Sequence, residues 1–261
     1  MLFVLSPAKA LDFTRPDEAL PVSTPQLAKD TTELAKVTRR LTLADLKRLM
    51  SLSDKLAKLN RERFQAFDPG SEEGLQAAFA FNGDVYAGLQ ARELDKKALA
   101  WAQDHLRILS GLYGVLRPLD AIQPYRLEMG TRLKTRRGES LYDFWGDRIA
   151  KALKADAAGH KDKTLVNLAS GEYFGAVDVK ALKLPVLTCR FVEEKDGERR
   201  IISFFAKKAR GLMARYAIDN RVETVGDLKG FDYAGYRFEP DLSKDGEWTF
   251  ARPQPAAAQA A

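Results

Sequence analysis

The sequence predicts an α/β (mixed α+β) fold, a single domain with a central mixed sheet, peripheral helices and an N-terminal helical hairpin. Short apolar runs typical of buried strands occur at residues 2–5 and 164–168. Amphipathic patterns with capping residues, typical of helices, lie between them. Asp-Gly dipeptides at 196–197 and 245–246 predict two β-hairpins. Strands interspersed with helices favour a sheet that is covered by helices.

Composition is that of a globular protein, with 261 residues, 45% hydrophobic and 30% charged residues, and a formal net charge of +6. No apolar run reaches the roughly eighteen residues of a membrane span, so no membrane partner is expected. The N-terminus lacks a signal-peptide pattern, and the single cysteine, Cys189, excludes an internal disulfide. We therefore expect a cytoplasmic protein. Residues 1–250 are expected to form the domain, and the Ala-, Pro- and Gln-rich residues 251–261 a disordered tail.

Several chemistries are disfavoured because the chain has only two histidines, His105 and His160, and one cysteine. Such a set cannot supply the usual tetrahedral zinc ligands, and no metal site is predicted. A Ser–His–Asp nucleophile would have to use His105, which lies in a helical pattern.

The N-terminal third is predicted to be mostly helical after a first strand. That strand, residues 2–5, is ended by Pro7, and a helix opens at Pro25 after Thr24. Thr42 with Asp45 resembles a capping box for a helix that reaches Met50. A second helix starts at 53–54 after a tight turn, which gives the helical hairpin.

The central part alternates between strand and helix patterns. Residues 77–81 are predicted to be a strand turned at Asn82-Gly83, and Asp95 to cap a helix that runs through Ser110. Glycines and prolines break the stretch 111–130, which is predicted to lead into a strand at 125–133. A helix over 141–158 precedes the strand at 164–168.

A basic helix is predicted near the C-terminus, because no acid occurs between Glu198 and Asp219. Residues 201–205 resemble a strand, and from Ala206 the period becomes helical, with apolar residues on one side. Gly211 lies among the cations of the other side, where a missing side chain would let a ligand approach. These cations favour an anion such as phosphate, although a solvated basic face is equally consistent with the pattern. They are Lys207, Lys208, Arg210, Arg215 and Arg221.

Four loops next to predicted strands carry polar groups, at 6–9, 82–86, 117–126 and 167–173. Strand-end loops of open α/β sheets converge on a ligand crevice. If these loops meet, they form one anion-binding cleft with the start of the basic helix, lined by Lys9, Arg117, Arg126, Lys207, Lys208 and Arg210. Four acids could act there as bases or metal ligands, or could simply cap helices: Asp84, Asp120, Glu128 and Glu172. Nearby aromatic residues could stack on bases or belong to the core: Tyr86, Tyr113, Tyr125, Tyr173 and Phe205.

Six blocks of the chain, in order, resemble the YaaA family of bacterial peroxide-stress proteins. The blocks are SPAKALDF (6–13), FNGDVYAGL (81–89), HLRILSGLYGVLRPLDAIQPYRLEMG (105–130), LYDFWGDRI (141–149), VNLASGEYF (166–174) and IISFFAKKARGLMARYAIDNR (201–221). The resemblance implies a cytosolic protein that limits damage under hydrogen peroxide and is tied to lower free iron. It also implies DNA binding and a helix-hairpin-helix element. It supplies no catalytic residues and no cofactor.

The helix-hairpin-helix element is placed on residues 43–64. Such elements offer backbone N–H groups to a DNA phosphate. Here residues 51–54, Ser-Leu-Ser-Asp, replace the usual glycine-rich turn, and a plain helical hairpin with solvated lysines is the alternative. The flanking cations that fit phosphate contact are Lys47, Arg48, Lys55, Lys58, Arg61 and Arg63.

We therefore expect a protein that binds duplex or branched DNA with little sequence preference during peroxide stress. The alternative is an enzyme that acts on a nucleotide or another phosphorylated substrate in the basic cleft. A third interpretation, iron handling, is disfavoured by the scarcity of ligands. The residues expected to bind DNA or another anion are Lys9, Lys47, Arg48, Lys55, Lys58, Arg117, Arg126, Lys207, Lys208, Arg210 and Arg215.

Overall fold

An eight-stranded mixed sheet forms the centre of the molecule in the computed structural model, which describes residues 1–16, 18–71 and 73–255. The strands, including four short ones outside this sheet, are β1 (Leu2–Leu5), β2 (Ala10–Leu11), β3 (Leu75–Gln76), β4 (Phe81–Asn82), β5 (Leu106–Ser110), β6 (Gly114–Leu116), β7 (Ala121–Ile122), β8 (Leu165–Leu168), β9 (Val186–Lys195), β10 (Glu198–Arg200), β11 (Arg237–Lys244) and β12 (Glu247–Pro253). The order in the main sheet is β11-β12-β9-β8-β1-β5-β6, and β10 pairs with β9.

The first strand of the chain lies in the middle of this sheet. β1 pairs in parallel with β5, where Leu5 is opposite Ile108, and in parallel with β8, where Leu5 is opposite Leu168. β8, β9 and β12 continue the parallel arrangement, whereas β6 and β11 are antiparallel at the two edges. Every residue of β1 is buried, as expected for a central parallel strand.

Eleven α-helices of the described chain surround the sheet, and none is long and apolar enough to cross a membrane. They are α1 (Ala28–Thr38), α2 (Leu43–Met50), α3 (Asp54–Ala66), α4 (Ala77–Ala80), α5 (Asp84–Leu89), α6 (Lys96–His105), α7 (Leu141–Trp145), α8 (Arg148–Asp156), α9 (Gly171–Phe174), α10 (Val179–Leu182) and α11 (Ser203–Asp219). Short 3-10 helices occupy Ala91–Glu93, Ala157–Gly159, Val225–Gly230 and Tyr233–Gly235. α11 packs on β1, β8 and β9.

The predicted fold class is confirmed: a mixed α/β domain with a central mixed sheet. Strands 2–5 and 164–168 are present as β1 and β8, and both Asp-Gly turns join antiparallel strands. The capping box of α2 is also present, because Thr42 accepts a bond from the Asp45 N–H and Asp45 accepts one from the Thr42 N–H.

Two predicted strands are wrong. Residues 77–80 form α4, since three of its four residues are alanine, the strongest helix former. Residues 125–133 form no strand. Instead their backbone packs against Gly111, where an added Cβ would lie 2.2 Å from the Leu127 carbonyl oxygen.

Two predicted helices extend too far. α6 is capped by Asp95 as expected but ends at His105, because residues 106–110 pair with β1 as β5. The helix predicted over 141–158 is two helices, since Gly146 has φ of +49° between them. α1 also begins later than Pro25, at Ala28, with Leu27 as its N-cap.

The C-terminal boundary is shifted as well. Residues 251–253 were expected to open a disordered tail, but they complete β12, which pairs in parallel with β9 up to Pro253 opposite Glu194. The rest of that prediction, from residue 256 onwards, lies outside the described residues.

Candidate functional site

The carboxyl ends of β1 and β8 lie side by side and are joined through two serines. The Ser170 N–H donates to Ser6 Oγ at 2.8 Å, and Ser6 Oγ donates to Ser170 Oγ at 3.3 Å. Ser170 also caps α9, because its Oγ accepts from the Tyr173 N–H. The loop after β1 is therefore fixed against the start of α9.

Charged side chains from these two segments and from one further loop, residues 126–130, reach the same edge of the sheet. Lys9 Nζ lies 2.7 Å from Glu128 Oε2, and Arg126 donates to Glu128 Oε1 at 2.9 Å. Glu172 Oε1 accepts from the Gly130 N–H at 2.9 Å. We call Ser6, Lys9, Arg126, Glu128, Ser170 and Glu172 the strand-end cluster.

The electrostatics of the strand-end cluster are balanced. Burial raises the pKa of Glu128, but the hydrogen bonds from Lys9 and Arg126 outweigh burial, so the pKa lies below its ordinary value. Glu128 is thus an ionised acceptor between two cations. Two cations face two acids, and the cluster is not a strongly cationic cleft.

The loop at 82–86 also joins this edge. Ala10 in β2 pairs with Asn82 in β4, and the Tyr86 hydroxyl donates to the Ser6 carbonyl at 3.1 Å. Lys207, near the start of α11, lies 3.8 Å from Asp84. The loops at 6–9, 82–86 and 167–173 and the residues around 126–130 therefore meet, as expected.

Tyrosines below the strand-end cluster belong to the core. Tyr86 and Tyr125 are 7% and 4% exposed, too little to stack on a base. Burial raises the pKa of both hydroxyls, and the Tyr125 hydroxyl is 2.6 Å from Ser110 Oγ. These phenols are neutral at physiological pH.

Arg117 does not join this group, contrary to expectation. It follows β6, which runs antiparallel to β5, so the chain leads away from the carboxyl edge. The Arg117 side chain instead donates two hydrogen bonds to Asp120 Oδ1, at 3.1 and 2.8 Å, and a third to the Thr24 carbonyl. Asp120 is 0% exposed and also accepts from Ser23, so its role is structural and it is not a candidate base.

The basic helix begins earlier and packs more tightly than predicted. α11 starts at Ser203, and the preceding strand is β10 at Glu198–Arg200, not residues 201–205. The side of α11 opposite the sheet lies against α5. A Cβ on Gly211 would be 1.8 Å from the Val85 carbonyl oxygen, and one on Gly88 would be 2.2 Å from the Lys208 carbonyl oxygen. Gly211 therefore permits contact between two helices, not access for a ligand.

Two of the four cations of α11 have acidic partners that are remote in sequence. Lys207 pairs with Asp84, and Arg215 pairs with Glu93 at 3.6 Å and with Asp219 at 2.9 Å. Lys208 and Arg210 are half-buried. Arg210 Nε is buried without a hydrogen-bond partner in the described part of the chain, and burial lowers the pKa of its guanidinium. α11 thus does not present the open cationic face that its sequence suggested.

The helical hairpin of α2 and α3 matches its sequence prediction closely. Ser51 ends α2 in the left-handed region at φ of 51°, and the Ser53 hydroxyl accepts from the Leu56 N–H to cap α3. Leu46, Leu52 and Ala57 are buried beneath the turn. The polar face is left to solvent.

Positive charge is concentrated on this hairpin. Its residues, 43–66, contain six Lys and Arg but three Asp and Glu, a net of +3, which is half of the +6 of the whole chain. Lys47 pairs with Asp54, and Arg48 with Asp45. Within the described residues, Lys55, Lys58 and Arg61 are exposed and have no ion-pair partner. We call these three residues the α3 cations.

Comparison with known proteins gives the family. The family model described as "peroxide stress protein YaaA" matches residues 1–242. The chain belongs to the YaaA family. A UPF0246 protein of Phenylobacterium zucineum (strain HLK1) is 76% identical over 255 residues, which cover 98% of this chain and 96% of the relative. A UPF0246 protein of Caulobacter vibrioides (strain NA1000 / CB15N) is 71% identical over 98% of this chain and 100% of the relative.

More distant relatives extend over the full length too. A UPF0246 protein of Maricaulis maris (strain MCS10) is 58% identical over 99% of this chain and 98% of its own. Membership of the YaaA family supports a role in peroxide stress.

No group of three or more His, Cys, Asp or Glu side chains in the described residues could hold a metal ion.

Proposed function

We propose that this YaaA-family protein binds DNA with little sequence preference through the helical hairpin and thereby limits damage during peroxide exposure. The observation that supports this most strongly is the charge of residues 43–66, which is +3, half of the total of +6. A polyanion is the partner that such a surface attracts. Duplex and branched DNA both present the phosphates that it would contact.

The α3 cations are the residues best placed to contact phosphate. They are exposed and unpaired in the described structure, so binding does not require an ion pair to be broken. Lys47 and Arg48 make surface ion pairs, which are worth about 0–1 kcal/mol. These two cations can therefore exchange an acid for a phosphate at little cost.

Binding without base readout follows from the kind of residues on this surface. Lys and Arg on an exposed helix contact phosphate and fix position, whereas sequence is read by side chains in a groove. A DNA partner also requires residence in the cytoplasm of a bacterium, which agrees with a chain that has one cysteine.

Fluorescence anisotropy with a labelled duplex at increasing salt tests the proposal. Each phosphate contact contributes about 0.9 to the slope of log affinity against log salt concentration. The triple variant K55A/K58A/R61A should weaken binding and lower this slope by between about 2 and 3. The control K154A/K163A/K180A removes the same charge from residues outside the hairpin and should keep most of the slope.

Two outcomes contradict the proposal. One is affinity that does not change with salt, because phosphate contact always releases counterions. The other is an equal loss in both triple variants, which would mean that net charge and not the hairpin determines binding.

A second function is favoured by the strand-end cluster, because ligands of open α/β sheets bind outside the carboxyl ends of the strands. Here the protein would be an enzyme that acts on a nucleotide or another phosphorylated substrate. The side chains of Lys9 and Arg126 would leave Glu128 and bind the phosphate of that substrate. A thermal shift with nucleotides that is abolished in K9A/R126A would support it, and no shift with any nucleotide would exclude it.

A further inference from the structure

A cavity of about 500 Å³ lies between residues 22–28, the chain that follows α3 and residues 113–123. Its volume falls within the range of small-molecule sites. It is separate from the strand-end cluster, and the surface proposed to bind DNA does not require it.

Two aromatic rings and two prolines form the apolar part of its lining. Phe67 and Tyr113 are 3% and 4% exposed, and their rings meet edge to face at 5.9 Å. Pro25 and Pro69 also line the cavity. Because so little of each ring is exposed, a ligand would meet only ring edges here, whereas half-buried Pro25 and exposed Pro69 supply flat apolar walls that suit a planar ring.

Among the residues that the structure describes, the polar part of the lining carries hydroxyls and one carboxylate and includes no Lys or Arg. Thr24 and Ser71 supply hydroxyls, and Glu73 is exposed at the rim. A phosphate would therefore find no cation inside. A neutral ring with N–H donors and ring-nitrogen acceptors matches these groups.

The walls are held in place by hydrogen bonds, so the cavity is preformed. The Gln123 side chain accepts from the Asp68 N–H at 2.9 Å and donates to the Asp68 carbonyl at 2.6 Å. The Gln123 N–H donates to the Tyr113 hydroxyl at 2.9 Å. The Ser23 hydroxyl donates a hydrogen bond to Asp120, and Asp120 also accepts one from the Arg117 side chain. A preformed cavity avoids the entropy cost of ordering its walls when a ligand binds.

The cavity adjoins the end of the helix that carries the α3 cations. Phe67 follows α3 directly, and its N–H donates to the Arg63 carbonyl at 2.9 Å. Arg61 is six residues earlier, roughly 9 Å along the helix axis. That is the rise of about two or three nucleotides in a stacked strand.

We infer that this cavity takes up one nucleobase, and that the phosphates attached to it stay outside on the cations of α3. The inference rests on the proposed function for the phosphate contacts. The base comes from either of two sources, an unpaired nucleotide of bound DNA or a free nucleoside. Both present the same ring to the cavity.

Two measurements test the inference and separate the sources. The first compares affinity for a paired duplex with affinity for the same duplex carrying one unpaired base, which costs less to extrude. Burial of the unpaired base in the cavity predicts at least about tenfold tighter binding of the second duplex. The second measurement is calorimetric titration with guanosine, adenosine and thymidine.

A28W fills the cavity from the first turn of α1. It should leave affinity for the paired duplex unchanged, reduce the ratio between the duplexes to one and abolish nucleoside binding. A87W adds the same side chain to an exposed position of α5 and should keep the ratio. If A28W does not fold, T24W replaces it, because Thr24 is exposed at the rim.

These measurements distinguish failure of the inference from failure of the proposed function. Loss of all DNA binding contradicts the proposed function, and nucleoside titration then still tests the cavity. Binding of both duplexes with equal affinity, together with no nucleoside binding, overturns the inference alone. Nucleoside binding without a preference between duplexes supports base uptake by the cavity and shows that the base comes from free nucleosides.

Discussion

Gly211 and Gly88 set the distance between α11 and α5 at the scale of single residues. Both lack the Cβ that would collide with the backbone of the opposite helix. The obstacle in each case is a carbonyl group of a packed helix, which cannot rotate away as a side chain can. α11 is therefore held between the sheet on one side and α5 on the other.

G211A should lower the free energy of unfolding by about 3 kcal/mol, since overpacking of this kind costs roughly 1–3 kcal/mol and occasionally more. Urea denaturation measures the change. G159A is the control, because a Cβ there meets nothing within 4 Å, and it should stay within about 0.5 kcal/mol of the parent. A G211A protein as stable as G159A would show that the two helices are not in contact in solution.

His160 gives the second prediction at this scale. Its Nδ1 lies 3.0 Å from the Met1 amino nitrogen, and its ring meets His105 edge to face at 4.5 Å. Burial, followed by the charge on Met1, lowers the pKa of His160 to about 4 from 6.5. The unfolded chain therefore binds more protons between these values, and stability should fall as pH falls from about 6.5 to 4.

Urea denaturation from pH 7.5 to pH 4 measures this dependence. In H160Q the free energy of unfolding should fall much less between pH 6.5 and pH 4 than in the parent. Carboxylates such as Asp45, whose pKa is lowered by hydrogen bonds to Thr42, change stability only below that range. Equal stability of the parent at pH 7 and pH 4.5 would contradict the prediction.

The helical hairpin is the element in which sequence and structure agree most closely. Its caps at Thr42 and Ser53 depend only on residues within three positions, so the sequence contains the information. Ser51, between the helices, is in a conformation that a residue with a Cβ adopts at a cost. The hairpin therefore keeps its shape without the usual glycine.

S51G should stabilise the protein by roughly 0.5–1 kcal/mol, because glycine adopts positive φ without strain. The DNA affinity and its salt dependence should not change, since no cation moves. S51V, with a β-branched side chain at the same φ, should be destabilising. If S51V melted at a higher temperature than S51G, this would contradict the left-handed conformation of residue 51.

Elements that depend on distant partners were predicted less well. Residues 106–110 read as helix because their own pattern is apolar, and only pairing with β1, about a hundred residues earlier, makes them a strand. The acids that neutralise Lys207 and Arg215 come from α5 and Glu93, so the gap in acids along α11 was misleading. Arg117 was misplaced because the direction of β6 is a property of the sheet. Lys9 and Arg126 were expected to line one cleft, and both contact Glu128.

At the scale of the whole molecule, stability and charge are located in different places. The central strands are buried, whereas half of the net charge lies on the hairpin. DNA binding therefore need not disturb the sheet, and substitutions of the α3 cations should not unfold it.

Hydrogen exchange tests this separation. Amides of β1 and β8, each paired on both sides, should exchange only through global unfolding, whereas amides of the edge strand β11 should exchange faster through local opening. K55A/K58A/R61A should show the same protection in β1 and β8 as the parent. Equally rapid exchange in β1 and β11 would contradict the central position of β1.

The central position of β1 has a consequence during synthesis on the ribosome. Its partners are residues 106–108 in β5 and 165–168 in β8, so the strand that emerges early waits for segments that emerge late. At about 5–20 residues per second, the 160 residues from Leu5 to Leu165 take roughly 8 to 32 s to translate. During that time the apolar segment LFVL, which forms β1, lacks its second partner strand, β8. Nascent chains would therefore need a chaperone to shield this segment until β8 can pair with it.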